Sequence, residues 1–218
     1  MMRRARWIRL GFGDLCELRS VAAALSGVQT RSAAPIVLWG SDRGWAEPRF
    51  AFAVVAPEHL APGTRARWTA WALSPAVAAY RDFGVRAYLE GSGIATQGRR
   101  IAASRAEVIH GCVVISAEIG AAACERSPLF ASTERAIEFR AWLRGGLGLA
   151  ATQWVGADGA PPERAFEAVM RARFEAQHDW QFENSWPSGS ERLALQAARA
   201  VADPLVAAPE SAPTIATL

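Results

Sequence analysis

Lysine is absent from the 218 residues, so all 24 basic side chains are arginine. Schiff-base chemistry, a Walker-type phosphate loop and Ser-Lys catalysis each need an amine that this chain does not have. Nor can the chain accept an acyl group on a lysine of its own. Histidine is limited to His59, His110 and His178, and cysteine to Cys16, Cys112 and Cys124. Three cysteines without metal-ligand spacing read as reduced thiols, not as a disulfide frame, and no metal site is expected. No Ser-His-Asp order, HExxH motif or paired-carboxylate pattern is present. Arg3, Arg4 and Arg6 imitate the start of an export signal, but Arg9, Asp14, Glu17 and Arg19 interrupt the apolar stretch that should follow, and no membrane span is expected. The net charge of +3 comes from arginines spread among 21 acids, without the basic run and interleaved aromatics of a nucleic-acid binder. The expectation is a cytoplasmic protein with neither nucleic acid nor membrane as partner.

What the chain does have is a hydrophobic fraction of 51% against 21% charged residues, enough apolar side chain to offset the entropy of ordering. The length suits one domain. It is expected over residues 1–202, with a frayed Ala-, Pro-, Ser- and Thr-rich tail over 203–218. Residues 7–10 read as a short strand. Asp14 is placed to cap a helix whose apolar face is Leu15, Leu18, Val21, Ala22 and Leu25 and which closes at Gly27. "PIVLWG" and "RFAFAVV" are short buried strands. Residues 65–82 fit a helix with a bend at Pro75. Residues 94–104 and 108–119 read as two paired strands, and 133–143 and 162–178 as helices. Ser188 and Glu191 have capping-box spacing before a last helix. This order implies an α+β fold with a mixed or antiparallel central sheet flanked by helices.

Two motifs invite a chemical reading. "EGSGIATQG", residues 90–98, is glycine-rich, but its spacing is not that of a dinucleotide fingerprint and a strand follows it, so a plain turn is the simpler account. His110 is the one histidine inside an apparent buried strand, and Gly111 would admit a ligand close to the backbone. A lone histidine of this kind is more often a core residue than a catalytic one. Cys112 reads as packing, and Cys124 follows that strand. Of the nine tryptophans, Trp68, Trp71 and Trp142 suit the core, whereas Trp180 and Trp186 bracket "QFENS" and could line a groove or a partner surface.

The segment "GRRIAASRAEVIHGCVVIS", residues 98–116, resembles the biotin/lipoate protein ligase and octanoyltransferase superfamily. Its members carry a Gly-x-Lys-Ile-(Ala/Ser)-Gly-Ser strand followed by a His-Gly strand, and "GRRIAAS" and "IHGCVVIS" fill those positions. "DFGVRAYLEGSGI", "FAFAVVAPEHL", "IVLWG" and "LCELRSVAAALS" are similar, in order, to the pieces that precede that motif. The resemblance implies a biotin/lipoate ligase-like fold. It implies Arg100 and His110 as the catalytic pair and Gly98, Ser104 and Gly111 as substrate-binding positions. The function it implies is handling of acyl transfer to a carrier-protein lysine, with lipoate, octanoate or ATP as ligands only if that activity persists, and an acyl-carrier or lipoyl-type domain or a second subunit as partner.

Two departures weigh against catalysis. Arg100 stands where the family has the lysine that holds the acyl carbonyl and phosphate. Arginine keeps the charge but offers a rigid five-donor fork in place of one movable ammonium. The family's Arg-Arg-x-x-Gly-Gly-Gly segment is replaced by "SDRGWAEP", which removes much of the backbone cradle for an acyl-adenylate. Cys124 falls short of the place of the transferase branch's cysteine and inherits no role. The alternative reading is a non-catalytic relative that binds a carrier domain or another subunit.

Overall fold

The computed structural model describes residues 2–10, 15–29, 33–42, 49–82, 85–96, 98–119 and 163–202. Along them run β1 (Arg3–Arg9), α1 (Leu15–Val28), β2 (Ile36–Asp42), β3 (Arg49–Pro57), α2 (Arg65–Asp82) and β4 (Ala87–Glu90). β5 (Gly93–Thr96), β6 (Arg99–Ile109), β7 (Cys112–Ile119), α3 (Glu163–His178), β8 (Trp180–Asn184) and α4 (Gly189–Ala202) follow. The expected helix at 133–143, Trp142, Cys124 and the tail at 203–218 lie outside the described residues, as does most of "SDRGWAEP".

The strands form one eight-stranded sheet in the order β4-β5-β6-β7-β3-β2-β1-β8. β1 lies parallel to β2 and β8, and every other pairing is antiparallel. The α+β class with a mixed sheet is therefore the observed one. Period-2 alternation sends each strand's side chains to two different layers. One face carries Trp7, Val37, Trp39, Phe52, Val54, Val113 and Ile115 against α2 and α3. The other carries Ile8, Ile36, Leu38, Ala53, Val55 and Val114 against α1 and Leu195 of α4.

The α2 face is aromatic. Trp7 stacks on Trp39 at 6.0 Å and meets Phe182 edge-on at 5.1 Å, and Tyr80 meets Phe166 at 5.0 Å. Such pairs add roughly 0.5–1.5 kcal/mol each beyond their buried area. Two indole N–H groups are bonded here: Trp7 donates to Glu167 at 2.9 Å and Trp68 to the Pro62 carbonyl at 2.7 Å. Pro75 lies inside α2 and is buried there. Lacking an N–H, it leaves the Trp71 carbonyl without its helical donor, and the Ser74 hydroxyl supplies one at 3.2 Å.

Sequence spacing located α4 well. The Glu191 N–H donates to the Ser188 hydroxyl at 3.3 Å, and the Ser188 N–H donates to the Glu191 carboxylate at 2.7 Å, a complete capping box. β8, which the sequence pattern does not display, is an edge strand whose central residue has its outward backbone groups covered. The Phe182 N–H donates to Glu175 at 3.1 Å, and its carbonyl accepts from Arg171 at 2.9 Å. β1 begins at Arg3, four residues before the expected strand, because it pairs on both sides, with β2 and with β8.

Candidate functional site

The hairpin expected from residues 94–104 and 108–119 is built differently. β5 ends at Thr96, a turn with Gly98 at φ +74° follows, and β6 runs unbroken from Arg99 to Ile109. Residues 105–107 are strand. Arg105 and Glu107 face α1, where Arg19 reaches Glu107 at 3.1 Å and Arg105 lies 3.8 Å from the same carboxylate. The reversal comes later, at His110 and Gly111, with φ of +50° and +73°. Ile109 pairs with Cys112 across this tight turn. Positive φ at both central residues is the primed turn that matches strand twist. His110 is therefore exposed in a turn and not inside a buried strand. Its ring rests on the end of α1, where a Cβ on Gly27 would lie 3.4 Å from His110 Cδ2.

Arg100 is placed by a bulge. β5 and β6 pair as Ile94 with Ala102 but Ala95 with Arg100, so Ile101 is an extra residue on β6. Plain alternation would put Arg100 on the face of Ala102, in the α2 core. The extra residue turns it to the α1 face. There its stem crosses Gly93: a Cβ at that glycine would meet Arg100 Nε at 3.2 Å, and the Ala102 carbonyl at 2.3 Å. The Ile101 carbonyl, taken out of the ladder by the bulge, accepts from the buried Tyr80 hydroxyl at 3.4 Å.

Register then shows what sequence could not. Gly93, Ala103, Glu118, Ala51 and Gly40 are successive partners across β5, β6, β7, β3 and β2. They form a row of four small residues and one carboxylate about 19 Å long on the α1 face, beside Arg100. Glu118 is 8% exposed. The signal was hidden because these residues are scattered over 79 positions of sequence and share only a register.

Four of the five sequence-derived residues fall at opposite ends of β6, with Ser104 between them. Gly98 and Arg100 lie at one end of β6 and His110 and Gly111 at the other, about 30 Å away along the strand. Ser104 faces the α2 side, opposite Ala117, and both its N–H (2.8 Å) and its hydroxyl (2.7 Å) donate to the Ser92 carbonyl in the β4–β5 turn. Gly98 donates its N–H to the Tyr88 hydroxyl at 3.0 Å. Cys112 is buried at 3% exposure, and that burial pushes its thiol up from the ordinary value, which suits packing and not nucleophilic attack. No cluster of three or more metal-ligating side chains occurs among the described residues, and no described helix is long and apolar enough to cross a membrane. Trp180 is not a groove residue: it is 2% exposed in the aromatic core, whereas Trp186 is 89% exposed.

Comparison with solved structures decides the fold. A lipoate-protein ligase A bound with ATP superposes with a TM-score of 0.63 at 10% identity, over 89% of this chain and 93% of that one. The chain has the lipoate-protein ligase fold. A bipartite lipoate protein ligase of Thermoplasma acidophilum, described with its E2 lipoyl domain, gives 0.62 at 9% identity over 89% and 91% of the two chains. A T. acidophilum protein with bound lipoic acid gives 0.59 at 9% identity over 89% and 94%. In sequence, no family model matches this lipoate-ligase-like chain, and neither does any curated protein.

Proposed function

We propose that this chain binds a lipoyl- or octanoyl-type acyl group on the α1 face of its sheet and takes part in passing it to a lysine of a carrier domain. The observation that carries this reading is the bulge at Ile101, which lifts Arg100 out of the core side and sets it over Gly93 at the head of the small-residue row. Apart from the Glu118 carboxylate at its middle, the row presents only small side chains along which an apolar chain could lie, and the guanidinium at its end is the kind of group that binds a carbonyl or phosphate oxygen. Arginine stays protonated at cellular pH, so Arg100 stabilises developing negative charge and takes no proton from the attacking amine. The acceptor lysine comes from another protein, as this chain has none. The structural neighbours bind ATP and lipoic acid, which supports the choice of probes.

A second reading, acyl or carrier binding without transfer, is favoured by Arg100 in the lysine position and by the short "SDRGWAEP" span. Native mass spectrometry separates the two. The protein is mixed with lipoate, octanoyl carrier, ATP and an apo lipoyl domain, and the lipoyl domain is weighed. An added acyl mass that disappears in Arg100→Ala supports transfer. A stable complex without added mass, gaining transfer in Arg100→Lys, supports binding alone. Neither complex nor mass leaves the reading refuted.

We also propose that residues 1–202 form one domain, since β8 and α4 extend the same sheet and layer as β1 and α1. Limited proteolysis giving separately stable halves would overturn that.

A further inference from the structure

His178, the last residue of α3, is held by rings from three elements. Its imidazole lies 4.8 Å from Trp180 of β8, 5.0 Å from Trp71 of α2 and 5.4 Å from Phe174 of its own helix. The backbone of Gln177 and of Trp71 nearby favours its charged form. Nε2 is buried and has no hydrogen-bond partner among the described residues.

We propose that His178 is an acid-sensitive latch that, while neutral, pins β8 and the end of α3 onto α2, and on protonation releases that corner. A proton on the second ring nitrogen would create a buried donor with no acceptor, in a wall of indole and phenyl rings. The charged side chains of the surrounding elements are committed elsewhere. Arg171 and Glu175 of α3 cap the Phe182 backbone, Arg173 pairs with Asp82 of α2, and Asp179, Arg67 and Arg3 are exposed. Two effects oppose release: imidazolium is attracted to ring faces, and the carbonyl end of a helix favours a cation. Desolvation by burial is the largest influence and lowers the group to about 4 from an ordinary 6.5, against the backbone of Gln177 and Trp71. The segment released is β8, whose register on β1 starts at Trp180 opposite Arg3, with the Arg3 N–H donating to the Asp179 carbonyl at 2.8 Å.

Hydrogen exchange of residues 180–184, corrected for the intrinsic effect of pH, tests this in the full chain. Opening should rise about thirtyfold between pH 8 and pH 5, with β3 and β7 unchanged, as linkage requires for a group at 6.5 when open and about 4 when closed. His178→Gln, which keeps a neutral donor, and His178→Phe, which keeps an apolar ring, should both flatten the response. A flat wild-type profile, tightening on acidification, or a response that survives in either variant overturns the proposal.

Discussion

The Arg6 guanidinium grips both carboxylate oxygens of Glu191, at 2.5 and 3.0 Å, joining β1 to the first turn of α4 across 185 positions of sequence. The same guanidinium donates to the Ser185 hydroxyl at 2.8 Å and the Trp186 carbonyl at 3.2 Å. Glu191 thus serves at once as capping-box acid and as counter-ion. Glu191→Ala removes both roles and leaves Arg6 half-buried without its charge partner, a loss of about 3 kcal/mol. Glu191→Gln keeps an acceptor for the Ser188 N–H and should cost less. Urea unfolding of the two variants checks the order.

The same pair sets an acid limb. Burial alone would raise the Glu191 carboxyl, but Arg6 and the Ser188 N–H and hydroxyl together hold it below the ordinary 4.5. A carboxylate lowered on folding contributes stability that is complete above its unfolded value and lost as pH falls through the folded one. Urea midpoints of wild type should therefore fall below about pH 4.5 more steeply than those of Glu191→Gln. Equal slopes would place the acid sensitivity elsewhere.

Gly93 has no room for a side chain. A Cβ there would sit 2.3 Å from the Ala102 carbonyl and 3.2 Å from Arg100 Nε. Gly93→Ala should cost about 1–3 kcal/mol and move Arg100 off its seat. Acyl binding, measured by calorimetry with octanoate, should weaken in the variant under conditions where circular dichroism shows it still folded.

The hairpin turn gives a local test. Asparagine tolerates positive φ better than histidine, so His110→Asn should hold or raise the melting temperature. Gly111→Ala, forced to φ +73°, should lower stability by about 1 kcal/mol or more. A large loss in His110→Asn would show that the ring on Gly27 matters more than the turn.

Local chemistry was legible in the sequence, and register was not. The capping box of Ser188 and Glu191, the apolar face of α1 and the strands β2 and β3 each follow from residues within a few positions of one another. The turn after β6 is hidden because Arg105 and Glu107 look like a loop unless Arg19 of α1 stands opposite them. The site was half legible: Arg100 could be named from its motif. The bulge that turns it and the row ending at Gly40 depend on pairings no linear pattern displays. Trp180 reads as a groove residue in the sequence because β8 is short and its partner, β1, lies at the far end of the chain.

The caps on Phe182 have a consequence for the sheet as a whole. An incoming strand could not simply lengthen the array beyond β8; it would first have to evict Glu175 and Arg171 from the backbone groups they occupy. Along that border the molecule has a fixed width, and whatever docks there must be recognised by side-chain shape and charge.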